Sequence, residues 1–203
     1  MATVSRGFGG RRQDPAGGDL AARTPPGQYL TDGFPVLSAG PTPGVRLEDW
    51  AFEITGGREP VGWTWEQFRR LPSERFTCDI HCVTRWSKLE TAWEGVSLDT
   101  LLAPVAHDAG YAVAVSHGGY TTNLPLTDLL GGKAWVAHTY AGQPLHPEHG
   151  GPARLVVPHL YFWKSAKWIR GLRLTAQDEP GFWERAGYHD YGDPWTEQRY
   201  ASA

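Results

Sequence analysis

Cysteine is scarce in this chain, with only Cys78 and Cys82 among 203 residues. Two thiols four positions apart exclude a disulfide framework. Without a Cys-x-x-Cys-His run or four thiolates, the chain cannot itself ligate a c-type haem or a four-cysteine iron–sulfur cluster. Redox chemistry here would have to pass its electrons through something else. Long apolar runs are missing as well, so no transmembrane helix is expected. The Arg11-Arg12 pair is not followed by the apolar stretch of an export signal, and the expected location is cytoplasmic. Charge is nearly balanced: 19 Lys and Arg against 22 Asp and Glu leave a formal net charge of -3. That provides no global basic field for nucleic acid or an anionic membrane, so any bound anion must be held locally. No His-Glu-x-x-His helix, Gly-x-Ser-x-Gly elbow, glycine-rich dinucleotide fingerprint or internal repeat is present.

What the chain has in quantity is Trp (10), Pro (16) and Gly (25), which predicts many short elements joined by tight turns. Residues 1–27, rich in Gly, Arg and Pro, read as a flexible basic arm, and residues 28–203 as one domain. Trp50, Phe52 and Ile54 alternate with Ala51 and Glu53 in a half-buried strand. Thr64 and Gln67 offer a capping box for a short helix stopped by Pro72. From Arg75 to Val83, period two puts Phe76, Cys78, Ile80 and Cys82 on one face. Further helices are expected at Ser97–Leu102 and Leu126–Leu130. Strands are expected near Tyr111–Ser116, Ala134–Tyr140, Ala153–Pro158 and Trp168–Leu174, and residues 178–203 read as an ordered coil wrapping the domain. Strands and short helices mix without βαβ regularity, so the fold class is α+β, with mixed sheets.

Two groups of residues carry chemistry. Cys82 lies at the expected end of a strand beside His81 and Arg85, where cations favour the thiolate that binds soft metals; a buried inert cysteine is the competing reading. On a strand, a zinc site from Cys78, His81 and Cys82 fails on distance, because i and i+4 lie about 13 Å apart at ~3.3 Å per residue; a helical segment would leave it open. The second group is Arg154, Lys164, Ser165 and Lys167, after Gly150 and Gly151. These supply charge and hydroxyl donors for a phosphate clamp, against the alternative of a solvated charge pattern.

Four segments, taken together, resemble a known family: His81-Cys-Val-Thr-Arg-Trp-Ser87, Gly119-Tyr-Thr-Thr-Asn-Leu-Pro-Leu126, His149-Gly-Gly-Pro-Ala-Arg154 and Lys164-Ser-Ala-Lys-Trp168. They look like the molybdopterin-binding domain shared by sulfite oxidases, eukaryotic nitrate reductases and the bacterial methionine sulfoxide reductase catalytic subunit. The resemblance implies a sulfite oxidase-type fold binding Mo-molybdopterin. Cys82 would be the metal ligand, and Arg154, Lys164, Ser165, Lys167 and His149 would contact the cofactor. His81 and Arg85 would border the metal pocket, and Tyr188 would match an active-site tyrosine. The implied activity is oxygen-atom transfer on a small sulfite-, sulfoxide- or N-oxide-like substrate, with a separate electron-transfer partner. A non-catalytic molybdopterin carrier is the alternative, and a zinc hydrolase ranks last. The cysteine motif is nearer the reductase subunit's than the oxidases', so sulfite itself is not implied.

Overall fold

The computed structural model describes residues 3–4, 12–13 and 18–202. Its strands form two main sheets. The five-stranded sheet runs in the order Thr121–Pro125, Tyr111–Ser116, Ile169–Thr175, Ala51–Thr55, Val61–Thr64. All its neighbours are antiparallel except Ile169–Thr175 with Ala51–Thr55. That parallel pair approaches closely at Gly171, where a Cβ would lie 2.3 Å from the Glu53 carbonyl oxygen, so no larger residue fits. The seven-stranded sheet runs Gln143–Pro144, Trp135–Tyr140, Trp86–Ser97, Tyr29–Thr31, Arg12–Gln13. Arg154–Val156 also pairs with Trp135–Tyr140, and Glu74–His81 pairs with Trp86–Ser97. Thr3–Val4 pairs with Leu37–Ser38 in a separate ribbon. The expected α+β class with mixed sheets is what forms.

Local chemistry sets the short helices. Thr64 Oγ1 accepts from the Gln67 amide at 3.3 Å and Gln67 Oε1 accepts from the Thr64 amide at 2.8 Å, which starts the helix Trp65–Arg69 and stabilises it by about 1 kcal/mol. Ser97 Oγ caps Leu98–Leu102 by accepting from the Thr100 amide at 3.2 Å. The expected helix at Leu126–Leu130 is only a 3-10 turn, Leu126–Asp128. The two amides beyond it, of Gly131 and Gly132, are taken by the Asp99 carboxylate.

The larger core, around Trp50, Phe52, Phe68, Leu98, Leu101 and Leu172, lies against the five-stranded sheet. A second cluster holds Ile80, Cys82, Trp86, Trp93, Val156 and Phe162, with Phe76 and Cys78 at its edge. The period-two face of the Glu74–His81 strand is therefore the face that packs, despite a register shift between Cys78 and Ile80. Of the expected basic arm, residues 1, 2, 5–11 and 14–17 lie outside the described residues. Its last part forms the helix Gly18–Ala22, after which Arg23 grips Asp79 bidentately at 2.9 and 2.7 Å. No helix among the described residues is long and apolar enough to cross a membrane.

Candidate functional site

Cys82 begins a four-residue turn between the strands Glu74–His81 and Trp86–Ser97. The turn closes through Arg85 N to Cys82 O and Cys82 N to Trp86 O, both 2.9 Å, with Arg85 left-handed at φ 75°. The thiol is buried, and Thr84 Oγ1 donates to its sulfur at 3.1 Å. Burial pushes the Cys82 pKa up, opposed by the Thr84 hydrogen bond and by the charges of Arg199 and Lys167. Desolvation therefore outweighs these cations, which are not the His81 and Arg85 expected to favour the thiolate; a bound metal would be needed to draw the proton off.

Neither His81 nor Arg85 lines the pocket that the thiol faces. Strand alternation turns His81 the other way, where Nδ1 meets Ser87 Oγ at 2.8 Å and the ring lies edge-on to Trp195. Burial keeps it neutral, with its pKa down to about 4. Arg85 is exposed, aimed outward by its left-handed backbone. The expected roles of His81 and Arg85 at the metal pocket are thus corrected.

Cys82 opens into a cavity of about 400 Å³. One wall is the segment Phe34–Pro43, which carries the strand Leu37–Ser38. The others come from Cys82–Thr84 and Trp86, from His117–Tyr120, from the Arg154 and Phe162–Trp168 region, and from Phe182, Trp183 and Tyr188 of the C-terminal coil. Arg154 is fully buried: Nη1 donates to His149 O at 2.8 Å, Nη2 to Ser165 O at 2.7 Å, and the guanidinium lies 4.1 Å from the Phe162 ring centroid. Burial lowers its pKa to about 9, which leaves it charged at neutral pH. Lys167 Nζ donates to Leu37 O at 2.8 Å and Glu148 O at 2.6 Å; burial and then the Arg154 charge bring its pKa down to about 7. Ser165 Oγ accepts from Val157 N at 2.9 Å, so its own proton is free to donate.

Lys164 is the exception in the expected clamp. It is fully buried, forms a 2.7 Å ion pair with Glu184, and donates to Asn123 O and Oδ1 at 2.9 Å. It fastens the C-terminal coil instead of lining the cavity, because the 3-10 turn Phe162–Lys164 points it into the protein. His149 stands behind the wall, stacked on Phe34 with centroids 4.1 Å apart, and supplies a carbonyl to Arg154. Tyr188 does line the cavity, edge-on to Trp163 at 5.2 Å. Burial raises its pKa, so the hydroxyl keeps its proton.

Two lining groups were missed by sequence reasoning. Trp86 Nε1 and His117 Nε2 are buried without a hydrogen-bond partner among the described residues, a costly state that a ligand in the cavity would relieve. The available signal for His117 was the following Gly118-Gly119 pair. Both glycines are left-handed, and no atom lies within 4 Å of an added Cβ, so that rim is open. Among the described residues no group of three or more His, Cys, Asp and Glu side chains is arranged to hold a metal. A metal on Cys82 would take its other ligands from outside such a cluster.

Compared with known proteins, residues 39–183 match the family described as oxidoreductase molybdopterin binding domain. The chain is 44% identical over 197 residues to the uncharacterised oxidoreductase YuiH of Bacillus subtilis (strain 168), covering 95% of this chain and 98% of that one. It is 31% identical over 164 residues to the protein-methionine-sulfoxide reductase catalytic subunit MsrP of Gluconobacter oxydans (strain 621H), covering 70% of this chain and 52% of MsrP. Among solved structures, the sulfane dehydrogenase SoxCD from Paracoccus pantotrophus superposes with a TM-score of 0.62 at 21% identity, over 68% of this chain and 41% of that one.

Proposed function

The chain belongs to the oxidoreductase molybdopterin-binding domain family, and on that premise we propose that it transfers an oxygen atom to or from a small sulfite-, sulfoxide- or N-oxide-like substrate. It is a sulfite oxidase-like molybdopterin-dependent oxidoreductase with a sulfite oxidase-type fold, and its cofactor is Mo-molybdopterin. The observation that carries the reading is that one cavity is lined by the Cys82 thiol, Arg154, Ser165 and Lys167.

These residues fit the cofactor. A soft sulfur donor suits molybdenum beside dithiolene sulfurs, two cations and a free hydroxyl suit a phosphate, and the unpartnered Trp86 and His117 nitrogens suit a polar ring system. When bound, the cofactor supplies a metal centre that exchanges electron pairs and an oxo group with substrate. The protein's share is positioning. Cys82 furnishes the protein ligand, Arg154, Ser165 and Lys167 hold the anionic end, and Tyr188 presents a protonated hydroxyl to the substrate oxygen. The rings of Trp163, Trp183 and Phe182 keep water from the reacting end. Reducing a sulfoxide consumes two electrons and two protons and releases thioether and water. In this reading those electrons come from a separate redox protein.

The test is molybdenum and pterin analysis of protein from a molybdenum-replete host, followed by dye-linked assays. One molybdenum and one pterin per chain are expected, with reduction of sulfoxides or N-oxides by reduced viologen, or dye-linked sulfite oxidation. Fully loaded protein that turns over none of these would sink oxygen-atom transfer.

A further inference from the structure

The turn that presents Cys82 is not self-sufficient. Arg85 occupies a left-handed conformation that only glycine adopts freely, so the surrounding structure must hold it. Beyond the turn's own two closing bonds, further bonds to it come from the two flanks of the chain, outside the family match at residues 39–183. On the N-terminal side, Gln28 Nε2 donates to Cys82 O at 3.1 Å, and the Tyr29 amide donates to Arg85 O at 2.8 Å. From the C-terminal coil, Arg199 Nη1 donates to Val83 O at 2.7 Å and Nη2 to Pro26 O at 3.4 Å.

Arg199 is built into this place. Only 6% exposed, it lies with its guanidinium 5.0 Å from the Tyr161 ring centroid, while Glu197 lies 3.6 Å away. Gly27 leaves room for it, since a Cβ there would sit 2.7 Å from Glu197 Oε1 and 3.5 Å from Arg199 Nη2. A buried cation donating at 2.7 Å to the carbonyl next to Cys82 is a short, charge-assisted bond. It ties both flanks to one turn.

We propose that Arg199, assisted by Gln28, is a positioning residue that fixes the Cys82 turn so that the sulfur is held toward the cavity for metal ligation. This rests on the reading of Cys82 as the molybdenum ligand. Arg199 acts through the backbone of Val83 and is not among the residues that line the cavity. Its loss therefore lets the turn relax and changes the metal–sulfur geometry, while the pterin stays held by Arg154, Ser165 and Lys167. Ligand-orienting partners of this kind commonly govern metal affinity or activity by about 10–100-fold.

The experiment compares wild type, Arg199→Met, Arg199→Lys and Gln28→Met from a molybdenum-replete host. The readouts are the molybdenum-to-pterin ratio, the Mo(V) electron paramagnetic resonance spectrum, and kcat and KM with a viologen-linked substrate. Arg199→Met is expected to keep its pterin, shift the Mo(V) signal and lose about 10-fold or more in kcat at little-changed KM, with Arg199→Lys restoring part of both. If Arg199→Met does not fold, the Lys and Gln28→Met variants carry the same comparison with smaller shifts. A loaded wild type whose variants all show its spectrum and ratio overturns the positioning role alone. A wild type lacking molybdenum and pterin overturns the ligand assignment beneath it.

Discussion

Cys78 and Cys82 lie on one face of the chain, yet the same substitution at each has opposite consequences. Cys78 is a half-buried thiol 3.6 Å from Thr91 Oγ1, with its pKa raised to about 11 by burial. Cys78→Ser keeps that hydrogen bond and is expected to change stability by no more than about 1 kcal/mol and to leave turnover intact. Cys82→Ser puts a hard, poorly acidic hydroxyl where the soft ligand belongs; turnover is expected to vanish while pterin fluorescence persists. Dye-linked activity surviving in Cys82→Ser would remove the residue from its role. Lys167 carries a second prediction at this scale. With its pKa near 7 in the free protein, it is largely neutral at pH 8, and a bound phosphate would restore its charge. Binding at pH 8 should then draw in up to one proton, and affinity should weaken as pH rises above 7. Calorimetry of the pterin-free protein with inorganic phosphate, in buffers of different ionisation enthalpy, reads this directly. Heats independent of the buffer would contradict it, and Lys167→Met should abolish the effect.

At the scale of elements, the C-terminal coil is held by a charge that sequence reasoning had assigned to the cofactor. The Lys164–Glu184 pair is fully buried, and Glu184 Oε1 also accepts from Thr122 Oγ1 and Trp163 Nε1. Lys164→Met strands the carboxylate and is expected to cost about 3–5 kcal/mol, measured by urea unfolding, with Glu184→Gln in the same chain recovering part of it. A phosphate-clamp role predicts the reverse: stability kept and pterin lost. The contrast explains what could be read in advance. The Thr64 capping box is chemistry between residues three apart, and the packed face of Glu74–His81 follows from period two, so both were legible. Of the residues named by the resemblance, Cys82, Arg154, Ser165 and Lys167 from the motifs and Tyr188 from outside them line one cavity. Whether Lys164 faces the cavity depends on Glu184, which arrives twenty residues later on the short 3-10 turn Glu184–Ala186. His81 and Arg85 misled because adjacency to Cys82 in sequence is not adjacency in space. Alternation sends one to the far face, and a left-handed turn aims the other outward.

Over the whole molecule, with charge nearly balanced, acid sensitivity should come from buried histidines more than from any global field. His138 is 4% exposed, bonded to Thr139 Oγ1 at 2.8 Å and close to Arg69 and Ser73. Burial first, then the Arg69 charge, lowers its pKa from 6.5 to about 4. His149, half-buried beside Arg154 and Lys167, is lowered to about 4 as well. Between pH 6.5 and 4 the unfolded chain takes up protons that the folded chain refuses, so stability is complete above 6.5, is lost as pH falls through this window, and loses nothing further from these groups below 4. For His138 the loss is at most about 3 kcal/mol, at ~1.36 kcal/mol per pH unit. Thermal melts from pH 7.5 to 4.5 should therefore show Tm falling below pH 6.5. His138→Gln keeps a hydrogen-bonding side chain but cannot be protonated, so its Tm should fall less steeply over the same range. Parallel curves for the two proteins would mean that His138 already carries its proton in the fold, and that the Arg69 side chain beside it has moved away to allow it.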